Sequence, residues 1–147
     1  MTSPITPRVR FAAVALAGLF ALVGAQPAQA QISVIVGPSA SYAPSQSDVV
    51  EMFVGAKTTW NDGTKIQIVD QPTTAAGTTF YADVLGRSPV EVRRTFIELV
   101  LSGQAVKPER FSSDADVKAA VAGTPGAIGF IQSSSMDASV KEVLRIG

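Results

Sequence analysis

The chain has 147 residues, with 12 basic and 12 acidic side chains, no histidine and no cysteine. These absences remove the commonest zinc ligands, every Ser/His or Cys/His catalytic arrangement and any disulfide framework. The balanced charge, without a clustered basic patch, argues against nucleic acid as a partner. Of the carboxylates, only Asp70 lies beside the loop for which we predict a ligand below. We therefore expect neither an enzyme nor a cofactor.

Residues 1–30 have the pattern of a secretory signal peptide. Two arginines precede an apolar run, and a stretch of small residues ends at Ala30. We expect cleavage after Ala30 and a periplasmic mature chain of one domain, residues 31–147. Removing the two arginines leaves 10 basic against 12 acidic side chains, a net charge of −2. No later apolar stretch approaches the roughly 20 residues of a membrane span, so we expect no membrane insertion after cleavage.

The first half of the mature chain predicts strand, helix and strand. Residues 31–36 form a β-branched apolar run that is typical of a buried strand. Ser45, with an acidic residue three positions later, predicts the N-cap of a helix that ends at Gly55. An Asn-Asp-Gly turn then leads into a second predicted strand at residues 65–69.

The second half predicts helices that alternate with strands. Helical spacing of apolar residues at 80–85 ends at a glycine, and Ser88 and Ser113 predict the N-caps of two further helices. A strand is predicted at 127–131, and the apolar terminal segment 140–146 is interpreted as a short helix or strand. This alternation predicts an α/β fold with a mixed sheet flanked by helices.

The loop between the second strand and the following helix is the predicted ligand site. Residues 70–80 combine small residues with several threonines at a helix start, where free amides and the helix dipole favour anions. Gly77 would let the backbone approach a ligand closely, and the threonine hydroxyls would add donors. The competing interpretation is an ordinary strand-to-helix connection whose threonines only cap the helix.

Three segments together resemble one lobe of the phosphate-binding proteins of ABC transporters. They are FVGAKTTWNDG at 53–63, GTTF at 77–80 and PGAIGF at 125–130, in the order found in that family. The chain resembles the small, single-lobe members of the periplasmic type II substrate-binding superfamily. The resemblance implies an α/β lobe that holds a small oxyanion such as phosphate, with an ABC permease as a possible partner.

The family's loop of sequence Arg-Ser-Asp-Gly-Ser-Gly-Thr ends at positions that Gly77 and Thr78 match. In a gapless register Pro72 replaces the arginine, Thr74 the aspartate and Ala76 the serine. Loss of the arginine would weaken anion binding by about 1.5–3 kcal/mol. The ligand-binding residues that we predict from this loop are Thr74, Ala76, Gly77, Thr78 and Thr79.

The family's clamp needs two lobes, whereas the mature chain has the length of one. A homodimer is one way to complete a cleft. The alternative hypothesis is a non-transport interaction protein, which keeps the fold and docks a partner or a second copy of itself. We expect such an interface to expose an apolar patch that includes Tyr42, Trp60 or Phe130. Trp60 is also interpreted as a core residue, since it follows a helix at a chain corner.

Overall fold

A computed structural model describes Pro4 and residues 31–147 of the chain. Apart from Pro4, the predicted signal peptide and its cleavage point lie outside the described residues. Within the described part, every helix is too short or too polar to span a bilayer.

The described chain folds into five strands and four α-helices, with one π-helical segment and one 3-10 turn. The strands are β1 (Ile32–Val36), β2 (Gln67–Asp70), β3 (Glu109–Arg110), β4 (Ala127–Gln132) and β5 (Lys141–Ile146). The helices are α1 (Gln46–Phe53), α2 (Ala75–Thr79), which continues as the π-helical segment Phe80–Leu85, α3 (Pro89–Leu101) and α4 (Asp114–Gly123), and the 3-10 turn is Ser133–Ser135.

The strands form one mixed sheet in the order β3-β2-β4-β1-β5. β2 runs parallel to both β3 and β4, whereas β1 runs antiparallel to β4 and β5. The predicted α/β fold with a mixed sheet is therefore confirmed, and the terminal segment is a strand rather than a helix. Because β2, β3 and β4 are parallel, their carboxyl ends lie at one edge of the sheet.

The sheet is covered on both faces, which makes three layers. One apolar cluster joins the sheet to α1, α2, the π-helical segment and α3, and its centre holds the rings of Phe53, Phe80 and Phe130. The other cluster joins the sheet to α4. There, a Cβ atom on Gly129 would lie 3.0 Å from methyl groups of Val117 and Val121, so this glycine allows α4 to approach the sheet closely.

The helix starts agree with their predicted caps. Ser45 and Ser88 each accept a hydrogen bond from the third residue of their helix, whose carboxylate accepts one in return from the cap amide. Ser113 accepts from the amide of Asp116 at 3.2 Å, and here the structure gives no return bond, so this cap is only half of a capping box. Local side-chain chemistry thus fixes where these helices begin.

Two details of the sheet differ from the prediction. β2 begins at Gln67, because Lys65 is held instead in a tight hairpin, with an isolated bridge to Thr59 and a 2.8 Å bond from the amide of Trp60 to the carbonyl of Thr64. β3 was not predicted, since only two residues of an otherwise irregular segment pair with β2.

Candidate functional site

Three chain segments meet at the sheet edge formed by the carboxyl ends of β2, β3 and β4. α2 follows β2, α4 follows β3, and the 3-10 turn Ser133–Ser135 follows β4. Ligands of open α/β sheets bind beyond such carboxyl ends. The predicted ligand loop therefore lies at the edge where a site is expected.

Thr74 caps α2, and its hydroxyl is occupied in doing so. It accepts a hydrogen bond from the amide of Gly77 at 3.1 Å and donates one to the carbonyl of Gln71 at 3.0 Å. Within residues 31–147, the structure gives no acceptor for the amides of Ala75 and Ala76, which are the first two of the helix. The capping interpretation is thus correct for Thr74. Of the two helix-start amides without an acceptor, that of Ala75 belongs to an exposed residue and that of Ala76 to a buried one.

The remaining predicted residues differ in their access to solvent. Ala76 and Gly77 are buried, Thr79 is half-buried and Thr78 is exposed. The hydroxyl of Thr78 donates to the carbonyl of Thr74 at 3.1 Å. Among the predicted side chains, Thr78 is the one that a dissolved ligand reaches most easily.

Gly77 brings two parts of the chain together. A Cβ atom at this position would lie 1.9 Å from the carbonyl oxygen of Gln71, far inside van der Waals contact. The space that the missing side chain leaves is therefore filled by the backbone of the preceding loop. The close approach at Gly77 is one between two parts of the chain, whereas the prediction concerned an approach to a ligand.

A polar cluster centred on the buried Gln71 lies next to this loop. Gln71 is fully buried, and its Nε2 donates to Asp114 Oδ1 and to the carbonyl of Phe130, both at 2.8 Å. Asp114 Oδ2 in turn accepts from the Ser135 hydroxyl at 2.6 Å. The cluster links β2, β4, α4 and the 3-10 turn, so it fixes the three strand ends relative to one another.

Asp70 is the second buried polar group at this edge, and it is 3% exposed. Its Oδ2 accepts from the Tyr81 hydroxyl at 2.6 Å, whereas its Oδ1 and the Oε1 of Gln71 have no hydrogen-bond partner in the described chain. Burial raises the pKa of the Asp70 carboxyl, and the bond from Tyr81 and the charge of Arg110 offset this only in part. Burial and the Asp70 charge likewise raise the pKa of Tyr81.

Replacing Asp70 by asparagine is expected to remove a pH dependence of stability. Because the folded-state pKa is raised above its ordinary value of 3.8, the folded protein holds this proton more tightly than the unfolded chain. Wild-type stability therefore falls as the pH rises from the unfolded pKa through the folded one, whereas D70N lacks this fall. Urea unfolding at about pH 4 and about pH 7 measures the difference between the two proteins. An identical pH profile for both would show that Asp70 ionises as freely as an exposed carboxyl.

Sequence analysis missed the roles of Gln71, Asp114 and Ser135 in this cluster. Their contacts were missed because each segment was considered only with its own neighbours in the sequence. The order of strands along the sheet was the feature that could have indicated this cluster. All three residues follow predicted or observed strands, and the ends of parallel strands meet at one edge.

A shallow groove of about 480 Å³ adjoins the exposed side of this site. Thr78 and Tyr81 form one wall, and the residues that begin α3 form the other. Among the described residues that line the groove, Arg87 is the basic one and Glu91 is the acidic one. The carboxylate of Glu91 accepts a 3.0 Å bond from the neutral amide of Ser88 and keeps its negative charge, so the lining holds one charge of each sign.

The sequence matches no protein-family model and no curated protein. Solved structures do match. A phosphate ABC transporter substrate-binding protein from Clostridium perfringens, solved with bound phosphate, aligns with 78% of this chain at 20% identity and a TM-score of 0.60. A phosphate transport receptor from Vibrio cholerae aligns with 78% at 19% identity and a TM-score of 0.61. PstS from Borrelia burgdorferi aligns with 76% at 13% identity and a TM-score of 0.56.

In each of these alignments the chain spans less than half of the other protein, between 45% and 47% of its length. Structural similarity at such low sequence identity shows that the backbones are arranged alike. The ligand has to be inferred from the residues of the site. The chain therefore has the fold of phosphate ABC transporter substrate-binding proteins, over the extent of a single lobe.

Proposed function

We propose that this protein binds a small oxyanion of the phosphate type at the start of α2, as a substrate-binding module associated with ABC transport. The observation that carries this proposal is the position of α2, whose unbonded first amides lie at the strand-end edge of a fold otherwise found in phosphate receptors. The proposal includes the signal peptide with cleavage after Ala30, a periplasmic location and a binding rather than catalytic role.

The donors proposed for an oxyanion are the amides of Ala75 and Ala76 and the hydroxyl of Thr78, with Thr79 beside them. The Thr78 hydroxyl has one proton, so it must turn from the carbonyl of Thr74 to the ligand. Thr74 and Gly77 shape the site from within, since their mutual hydrogen bond closes the first turn of the helix. Helix-start amides are favourable partners for anions because both their N–H direction and the helix dipole point at the ligand.

The loop itself carries no positive charge, since Pro72 occupies the position at which the phosphate-binding family has an arginine. Arg87 supports the proposal because it lines the groove that also contains Pro72 and Thr78. A ligand in this groove could therefore receive one charge-assisted contact in addition to the amides. We expect the affinity to be modest, because residues 31–147 form a single lobe and do not by themselves enclose an anion. We propose that a homodimer partner or a permease covers the other side of the ligand.

Isothermal titration with phosphate, sulfate and methylphosphonate tests this function. We expect saturable heat with at least one of the three, and T78V is expected to weaken that binding at least about tenfold, since it removes a hydrogen bond to a charged ligand. The matched control is T95V, because the Thr95 hydroxyl makes the same kind of bond to the carbonyl four residues earlier, in α3. Absence of heat at millimolar anion, or an equal loss in T95V, would contradict the proposal.

The second hypothesis is an interaction protein, and the apolar patch that we predicted for it is not the one that the structure exposes. Trp60 and Phe130 are buried, Trp60 donates its indole N–H to the carbonyl of Gly126 at 2.9 Å, and Tyr42 stacks on it at a ring distance of 3.9 Å. These residues belong to the core and its edge, so the expected patch is absent from the described surface. The exposed apolar residues lie instead on α3, which is the specific observation in favour of a partner.

A further inference from the structure

The exposed apolar residues of the described chain gather on one helix. Four large apolar side chains are exposed, and three of them belong to α3: Val90 at 66%, Ile97 at 50% and Leu101 at 83%. A helical residue advances by about 100°, so these three positions fall within about 40° of arc and form one stripe. The opposite face of α3 buries Val92 and Phe96 in the core. α3 thus has a second apolar face that packing among residues 31–147 does not explain.

The C-terminal part of this stripe borders a groove between α3 and the segment that leads into β3. The groove has a volume of about 270 Å³. Ile97, Val100 and Leu101 contribute to its helical wall, and Pro108 contributes to the other. A concave apolar surface of this size can accept one or two large side chains of a partner.

Three basic residues surround the groove, and no carboxylate lines it. They are Arg93 on α3, Lys107 before β3, and Arg110 in β3. None of them takes part in an ion pair within the described chain, whose ion pairs are Lys57–Asp48, Lys118–Asp137 and Arg145–Glu142. Arg110 also interacts with the buried Asp70, whereas Arg93 and Lys107 have no such carboxylate assigned to them in the described chain. Charges of one sign around an apolar depression favour an occupant of the opposite sign.

We propose that this groove docks an acidic, apolar segment of a partner protein. Leucine-like side chains of that segment fill the depression beside Ile97 and Leu101, and its carboxylates pair with Arg93, Lys107 and Arg110. The groove shares no residue with the proposed oxyanion site. The protein therefore has two separate surfaces, one for a small anion and one for a partner chain.

The charge argues against the other possible occupants. In a closed two-fold dimer the same patch meets itself, so that the three basic residues of each copy would be brought together. An anionic membrane would satisfy the charge and contact the exposed stripe, but a flat bilayer surface leaves the depression beside Leu101 unfilled, whereas a peptide side chain fills it. A peptide segment satisfies both the shape and the charge.

Fluorescence anisotropy with a short labelled peptide of leucine and glutamate tests the proposal on the purified protein. We expect saturable binding that weakens with added salt. The variant L101S and the double variant R93Q/K107Q are each expected to weaken binding about tenfold or more. The control K65Q removes an exposed basic residue elsewhere and should bind as the wild type does. Because all of these side chains are exposed, thermal unfolding should show an unchanged Tm.

Three results would overturn the proposal. The first is no binding of the leucine–glutamate peptide, or equal binding of a leucine–lysine peptide. The second is a dimer in light scattering that L101S dissociates, since the groove would then hold a second copy. The third is binding to phosphatidylglycerol vesicles that R93Q/K107Q abolishes while the peptide fails to compete, since the surface would then serve a membrane.

Discussion

Replacing Gly77 by alanine is expected to destabilise the protein by about 3 kcal/mol or more, a large part of the stability of an ordinary domain. The new Cβ atom would lie 1.9 Å from the carbonyl oxygen of Gln71 and 2.9 Å from a carbon atom of Pro72. Both atoms belong to the backbone, so the clash cannot be relieved by rotating a side chain. The loop must move away from α2, which would also break the bond from Gly77 to the Thr74 cap.

The matched control is G123A. Gly123 ends α4, has no positive φ angle and has open space where a Cβ atom would be. There alanine should stabilise the protein by about 0.4–1 kcal/mol, because it restricts the unfolded chain. Urea unfolding of both variants measures the contrast. A G77A variant of wild-type stability that no longer binds phosphate would show instead that the glycine is kept for ligand approach.

Replacing Phe130 by alanine is expected to cost about 3–5 kcal/mol. Its ring is fully buried, stacks on Phe80 at a ring distance of 4.0 Å and meets Phe53 edge to face at 5.7 Å. The substitution leaves a cavity where β4 meets α1 and the π-helical segment, and it removes two aromatic pairs. Because β4 lies between β2 and β1, the cavity would loosen the sheet at its centre.

The control for this prediction is V90A, at a side chain that is 66% exposed. We expect its stability to stay within about 0.5 kcal/mol of the wild type. Urea unfolding again provides the measurement, with the slope compared as well as the midpoint. If F130A cost less than V90A does, the three-ring cluster would not be the centre of the core.

The helix starts were predictable because each is determined by residues close in sequence. Ser45, Ser88 and Ser113 each begin a helix, since a serine hydroxyl satisfies an amide three residues later. The buried strand β1 was predictable for a similar reason, because five successive apolar or small residues are typical of a strand covered on both faces.

The rest of the fold depended on long-range pairing that short segments do not reveal. β3 consists of Glu109 and Arg110, both exposed, and it exists because β2 lies alongside it. The polar cluster of Gln71, Asp114 and Ser135 joins residues that are far apart in the sequence. The loop at residues 70–80 could be proposed as a site because its features are contiguous in the sequence. Arg87 lies outside the loop and joins it only through the groove that the fold forms.

The most direct test of the central claim is an NMR titration of the amide resonances with inorganic phosphate. We expect saturable shifts that are largest at Ala75, Ala76 and Thr78, with smaller effects on the Arg87 side chain. Such a result would identify the start of α2 as an oxyanion site. Unchanged spectra at millimolar phosphate, or shifts confined to residues away from this loop, would contradict it.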